Sequence, residues 1–98
     1  MATKLLSTTA EEIFPRSRLR KSMAIENEDA VITIFIKQER AITPTVSSTD
    51  HTHALLAGAT LSISNLTDGI EAIQDRWTGV AASGTPRVSF FETEDVVR

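Results

Sequence analysis

Residues 23–36 read MAIENEDAVITIFI, and this segment decides the fold class. Leu19, Met23 and Ile25 alternate with small or polar residues, which is the period of a half-buried strand, interrupted only at Lys21. The run NED at 27–29 supplies turn residues, and six strand formers follow at 31–36. The pattern predicts a β-hairpin. Its second strand would have both faces covered and lie inside a sheet, with the isoleucines on one face and Val31, Thr33 and Phe35 on the other.

Further strand candidates follow along the chain at 60–64, 70–73, 77–82 and 87–92. The most polar turn segments between them are 65–69 and 83–85. Six to eight short strands with turns every 8 to 14 residues predict an all-β fold, either a small antiparallel β-sandwich or a jelly-roll-like barrel. In that fold Val88 and Phe90 would face the core.

Two segments are less regular than these strands. Residues 4–14 fit either a strand entering at Leu5 or a short helix with Thr9 as its cap and Glu12 three residues later. Residues 37–53 are polar and contain Pro44, so we expect a long loop with at most a short β segment. We divide the chain into an N-terminal arm or edge strand (1–14), a β-sandwich domain (15–92) and a charged C-terminal tail (93–98).

Composition narrows the classes of function. Valine, isoleucine and threonine make up 28 of the 98 residues, which suits a pleated sheet. The net charge of −3 argues against a nucleic-acid partner, because binding phosphates needs a surplus of Lys and Arg. Cysteine is absent, which fits a protein made in a reducing cytoplasm. Since no apolar run approaches about 20 residues, we expect a soluble protein with no membrane partner.

Catalytic and metal-binding patterns are weak. The cluster Asp50-His51-Thr52-His53 is the best metal candidate, because alternate residues of a strand place two imidazoles on one face. Solvated loop histidines are the commoner outcome of such a sequence. Carboxylate pairs such as Glu11-Glu12 lie in hydrophilic surroundings, and no serine sits in a nucleophile elbow. We therefore expect a protein that is not an enzyme and needs no cofactor.

Charged and aromatic residues offer other binding candidates. Arg16, Arg18, Arg20 and Lys21 form a basic patch that could pair head to tail with an acidic one at 92–95, although a solvated rim fits equally well. The single tryptophan, Trp77, is more often a core residue than a binding hot spot.

A series of short motifs runs along most of residues 5–92 in a distinctive order. They are Thr9-Ala10 with Ile13, Arg20-Lys21-Ser22-Met23 with Ile25 and Asn27, Ile32 with Ile34-Phe35-Ile36, Leu55-Leu56-Ala57-Gly58 with Leu61, Ala81-Ala82-Ser83-Gly84-Thr85 with Val88, and Phe90-Phe91-Glu92. This order of motifs resembles small virion proteins of tailed phages, described as structural, head or decoration proteins. Where the family has an aromatic residue and then glycine after the second strand, this chain has Ile36 and Lys37, and its next loop is longer. This departure concerns the partner surface more than the fold.

This resemblance implies a capsid decoration or cement protein, made in the bacterial host and carried on the phage head. It would bind the major capsid protein and copies of itself, with a trimer favoured. We expect the contacts in the N-terminal segment, through an edge strand, and in the 37–53 loop. The candidate partner-binding residues are Lys4, Leu5, Leu6, Arg16, Arg18, Arg40, Thr43, Pro44, His51 and His53.

Two other functions remain open from the sequence. One is a tail, neck or fibre-adaptor subunit, which would form a ring or a short stack. The other is a module that binds host-surface glycans through the exposed polar loop and Trp77.

Overall fold

The computed structural model describes residues 2–17, 20–40, 43–64 and 74–94 of the chain. Eight strands lie within these ranges: β1 (Ala2–Leu5), β2 (Glu11–Phe14), β3 (Arg20–Asn27), β4 (Ile34–Gln38), β5 (His53–Leu55), β6 (Thr60–Ser64), β7 (Trp77–Ala81) and β8 (Arg87–Glu94).

The strands form two antiparallel sheets. The first sheet has the order β1-β8-β3-β6, and the second has the order β2-β7-β4-β5. Each strand of the first half pairs with one of the second half: β1 with β8, β2 with β7, β3 with β6, and β4 with β5. A long antiparallel ribbon wrapped into two sheets is the jelly roll. The predicted fold class, an antiparallel β-sandwich of this type, is confirmed.

The predicted hairpin is wrong, although both of its strands exist. β3 lies in the first sheet between β8 and β6, and β4 lies in the second sheet between β7 and β5. Both edges of β3 are therefore occupied, and the segment after it crosses to the other sheet. β4 does lie inside a sheet, but it begins at Ile34 and not at residue 31. Val31, which was expected to be buried, is 83% exposed.

Side-chain hydrogen bonds hold this crossing. The amide Nδ2 of Asn27 donates to the carbonyl oxygens of Ile32 at 2.8 Å and Leu55 at 3.0 Å. The Asp29 carboxylate accepts from the backbone amides of Val31 and Ile32, both at 2.8 Å. Backbone groups that a hairpin would pair with β3 thus find side-chain partners.

The core fills the space between the sheets. Its buried hydrophobic members are Leu6, Ile13, Phe14, Met23, Ile25, Ile34, Ile36, Leu55, Ile63, Trp77, Ala81 and Val88.

The predicted alternation of β3 is correct for Met23 and Ile25, which both face the core. The ladder between β3 and β8 shifts register between Arg20 and Ser22, so the break in alternation at Lys21 is a bulge. Because of this bulge, Arg20 is buried with the core residues.

Other segments differ in part from the sequence analysis. Residues 4–14 form strand β1, a connection and strand β2 instead of a capped helix, and β1 and β2 are edge strands of opposite sheets. β8 continues to Glu94, inside the predicted tail. The predicted loop is shorter than 37–53, because β4 includes Lys37 and β5 begins at His53. The candidate strand at 70–73, the turn at 65–69 and residues 95–98 lie outside the described residues.

Replacing Asn27 with alanine should lower the free energy of unfolding by about 3 kcal/mol. The variant loses two donated bonds and leaves two carbonyls unsatisfied near the core. Urea denaturation at pH 7 measures the effect, with Ser48→Ala on the exposed surface as the control, expected within about 0.5 kcal/mol of wild type. An Asn27→Ala loss no larger than that of the control would contradict the assigned role of this amide.

Candidate interaction surfaces

Three exposed aliphatic side chains lie at one end of the sandwich. Leu5 is 60% exposed, Val31 83% and Leu56 64%. The topology places them at the same end, because β1 ends at Leu5, β5 ends just before Leu56, and Val31 lies in the crossing from β3 to β4. We call Leu5, Val31 and Leu56 the apolar end.

The surroundings of Leu5 are polar and charged. Leu5 pairs with Arg87 in the β1–β8 ladder, and the amide of Glu28 donates to the carbonyl of Arg87 at 3.0 Å. A shallow recess is lined by Leu5, Glu28, Asp29, Thr85 and Arg87. An apolar centre with a charged rim is the composition of a protein-binding surface.

The crossing that carries Val31 is well ordered by its own hydrogen bonds. The backbone amides of Ile32 and Val31 lower the pKa of the Asp29 carboxyl below its ordinary value, because they stabilise the charged form. Gly58, with φ of +77°, donates its amide to the Asn27 carbonyl at 2.9 Å and holds the turn after Leu56 in place. The apolar end is therefore presented on a defined backbone.

The opposite end of the sandwich is polar and is organised by Arg20, whose side chain is fully buried. Its Nε donates to Glu92 Oε2 at 2.6 Å and its Nη1 to the Asp75 carbonyl at 2.9 Å. Its Nη2 donates to the Pro15 carbonyl, and the guanidinium lies 5.1 Å from the centre of the Phe14 ring. This ion pair takes one residue from each of the two patches, and the head-to-tail hypothesis stays a prediction for their other charges. Arg20 and Glu92, taken from the two proposed patches, bind each other within one chain.

Asp75 is the second buried charge at this end. Its carboxylate accepts from Gln38 Nε2 at 2.7 Å and from Arg40 Nε at 2.8 Å. Burial raises the pKa of this carboxyl, but the hydrogen bonds from Gln38 and Arg40 together with the Arg40 and Arg16 charges outweigh burial and lower it. Arg40, a predicted partner-binding residue, therefore has an intramolecular ion pair.

The segment 43–52 lies across the outer face of the second sheet. Glu39 is buried and accepts from Thr45 Oγ1 at 3.1 Å and from the Thr78 hydroxyl. Lys37 Nζ donates to Thr45 Oγ1 at 2.8 Å and to Asp50 Oδ2 at 2.7 Å. These bonds hold the long loop against the sheet, so most of its polar groups are engaged within the chain.

The two histidines do not form a shared site. The His51 ring contacts Phe35, with ring centroids 4.8 Å apart, and the His53 ring stacks on Trp77 at 6.0 Å. Phe35 and Trp77 lie on opposite faces of the second sheet, as the β4–β7 register shows. The expectation that both imidazoles share one face is therefore wrong. Among residues 2–17, 20–40, 43–64 and 74–94, no group of three or more His, Cys, Asp or Glu side chains could hold a metal ion.

The predicted partner-binding residues are dispersed over the molecule. Leu5 is at the apolar end, whereas Leu6 is fully buried and offers no surface to a partner. The Lys4 side chain reaches from β1 to β2, where its Nζ donates to the Glu12 carbonyl at 3.2 Å.

The remaining predicted residues lie away from the apolar end or outside the described ranges. Arg16 and Thr43 are exposed, and Pro44 and His53 are half-buried. Arg18 lies outside the described residues. Leu5 is thus the only predicted contact that the structure places at the apolar end among the described residues.

Sequence reasoning missed Val31, Leu56 and Phe91. Two of them had a usable signal, because Leu55-Leu56 and Phe90-Phe91 are adjacent pairs of large apolar residues. In a strand with one buried face, only one member of such a pair can face the core. Phe91 is 45% exposed on the outer face of the first sheet. Trp77, by contrast, is 1% exposed, so it is a core residue, as expected for a single tryptophan, and it presents no surface to a glycan.

Comparison of the chain with family models, with curated proteins and with solved structures gives no match. In the described part of the chain, no helix is long and apolar enough to span a membrane.

Arg20→Met should lower the free energy of unfolding by about 3 kcal/mol, because it removes one partner of a buried ion pair and leaves buried carbonyls without donors. Arg20→Lys should recover only part of this loss, since one ammonium cannot satisfy acceptors arranged around a planar guanidinium. Thermal unfolding measures both variants beside Arg16→Met, an exposed arginine nearby. Equal stabilities for Arg20→Lys and wild type would refute the planar arrangement.

Stability should fall in acid through Asp75. Its pKa is lower in the folded chain than the ordinary value of about 3.9 in the unfolded chain, so its contribution is present above that value and is lost as the pH falls through the folded pKa. Denaturation between about pH 6 and pH 2 should therefore show a steeper acid decline for wild type than for Asp75→Asn. Parallel declines would contradict this contribution.

Proposed function

We propose that this protein is a structural component of a tailed-phage particle, a decoration or cement protein that attaches to the assembled head through its apolar end. The single observation that carries the proposal is that Leu5, Val31 and Leu56, each more than half exposed, lie at the same end of the sandwich. Large apolar side chains exposed at one end of a small fold favour a protein partner.

Two further features support a binding role of this kind. Jelly-roll sandwiches occur in viral capsid and lectin domains, which agrees with the resemblance to phage virion proteins, although a fold alone does not assign a function. A chain of 98 residues has a modest core, and burial against a shell would add to it. Repeated weak contacts on a regular array give stable attachment, so each copy needs only a small surface.

The structure changes which variants test this proposal. Deleting the N-terminal segment would remove β1, β2 and the core residue Leu6, so lost binding would not be distinguishable from unfolding. Leu5, Val31 and Leu56 are exposed, and their substitution leaves the core intact.

The triple variant Leu5→Ser, Val31→Ser, Leu56→Ser should fold normally and lose attachment to the head. Burying one such side chain contributes about 1.5 to 3 kcal/mol, so each substitution should weaken binding by about tenfold or more. The assay uses empty heads of the phage that encodes the chain, prepared without this protein, and measures bound copies per head. Circular dichroism and thermal unfolding check the fold of each variant.

A loop variant, Thr43→Ala with His51→Ala, is the matched comparison. It should bind heads like wild type, because the apolar end is unchanged. If the loop variant loses binding while the triple serine variant retains it, the apolar end is not the attachment surface and the loop takes its place.

A tail, neck or fibre-adaptor role is the second candidate, supported by the same exposed end and the same resemblance. Mass spectrometry of purified particles separates the two by copy number. Decoration requires on the order of hundreds of copies per particle, whereas a ring in the tail requires about six or twelve.

A further inference from the structure

The outer face of the first sheet carries one projecting aromatic side chain among small neighbours. Ala24 pairs with Phe91 on one side and with Ser62 on the other, and Glu26 pairs with Ser89 and Thr60. Phe91 is 45% exposed, whereas Ala24 is 7% exposed beside it. Small side chains therefore surround Phe91, and larger ones, Glu26, Arg87 and Leu5, lie on this face toward the end where β3 finishes.

Two recesses flank Phe91 and share Ala24 in their lining. One, of about 220 Å³, is also lined by Glu26, Thr60 and Ser89, and the other, of about 200 Å³, includes Ser22, Ser62 and Ser64. A cavity of about 150 Å³ holds a benzene ring. Each recess thus has room for one aromatic side chain, and the same face supplies such a side chain.

We propose that a second copy of this chain docks on this face around a twofold axis that runs parallel to the strands between β8 and β3. Such an axis places β8 of one copy over β3 of the other and keeps each residue at its own level along the strand. Phe91 then lies over Ala24 of the second copy, and the reciprocal contact forms at the same time. This arrangement fills a recess of each copy with the ring of the other.

Charge supports this axis over the alternatives. Glu28 directly follows β3, and its amide bonds to the carbonyl of Arg87 at the start of β8, so the two residues lie at the same level. The proposed axis brings Arg87 of each copy opposite Glu28 of the other. An axis perpendicular to the strands through Phe91 would instead place the two Phe91 rings against each other and move Arg87 away from Glu28. Opposite charges at symmetric positions set the register of such a contact.

The area agrees with a modest dimer. Four strands about 4.8 Å apart and four levels of outward residues about 6.7 Å apart cover about 500 Å² per copy. Both copies together bury about 1,000 Å², which is near the lower limit for a specific interface. A second copy is the occupant that the face itself supplies, because each copy carries both the projecting Phe91 ring and the recesses beside Ala24. This inference does not depend on the proposed attachment to a phage head.

The test is the oligomeric state of the full chain in solution. Sedimentation equilibrium from about 5 to 500 µM should show a reversible monomer–dimer equilibrium. Phe91→Ser should weaken dimerisation at least tenfold and keep the fold, because the ring faces outward. Ala54→Glu, on the outer side of the second sheet, is the matched surface control and should dimerise like wild type. A monomer throughout this range, a trimer, or an unaffected Phe91→Ser dimer would overturn the proposal.

Charge reversal tests the register. Arg87→Glu alone and Glu28→Arg alone should each weaken the dimer, because each places like charges together at two symmetric points. The double variant Arg87→Glu, Glu28→Arg should restore dimerisation to within about threefold of wild type. Absence of this rescue overturns the proposed axis. Arg87 and Glu28 also line the recess beside Leu5, so Phe91→Ser is the variant that separates the two proposals: it weakens the dimer and leaves that recess unchanged.

Discussion

The fold depends on how β3 is tied to the opposite sheet at both of its ends. At one end, the side-chain amide of Asn27, the last residue of β3, donates to the carbonyl of Ile32, just before β4, and to that of Leu55 in β5. At the other end, Arg20 joins the first residue of β3 to the carbonyls of Pro15 and Asp75. Among the consecutive strands of this topology, only β4 and β5 are neighbours in one sheet, so every other connection passes between the sheets. Buried polar side chains that bridge the sheets are therefore the means by which this wrapped ribbon closes.

The strand pattern was largely predictable from the sequence, but strand pairing was not. Alternation along Met23 and Ile25 reports only that one face of β3 is buried. It is the same whether the next strand returns beside β3 or crosses to another sheet. The choice is made by Asn27, whose side chain bonds to Leu55, 28 positions away. A local reading of Asn27-Glu28-Asp29 sees turn residues and cannot detect that distant partner. The bulge at Lys21 had a local signal, the single break in alternation, and it marks the place where Arg20 turns inward.

For the interaction surfaces too, adjacent residues in the sequence give part of the prediction, and the pairing of distant strands gives the rest. In Leu5-Leu6, Leu55-Leu56 and Phe90-Phe91, one residue packs in the core and its neighbour is exposed. A two-layer sandwich makes this outcome necessary, so exposed apolar residues could be expected near these pairs. Which member faces outward depends on register, and that Leu5 and Leu56 lie at the same end as Val31 depends on topology. The prediction of a long solvated loop at 37–53 was wrong because the partners of its polar groups are not visible in its composition. Its composition suggests solvation, yet Glu39 and Lys37 bind it to the second sheet.

The direction of the proposed twofold axis links the two surfaces. Rotation about an axis parallel to the strands preserves the direction of every strand, so the apolar ends of both copies point the same way. A perpendicular axis would send them to opposite sides of the dimer. The pairing of Arg87 with Glu28 selects the parallel axis, and with it a dimer whose two copies of Val31 and Leu56 point toward one surface, while Leu5, the ladder partner of Arg87, lies beside the contact between the copies. Two weak contacts made together on a repeating array bind far more tightly than either alone, because the second contact forms at a high effective concentration. A small core, a modest dimer interface and a small apolar end are then sufficient for stable attachment.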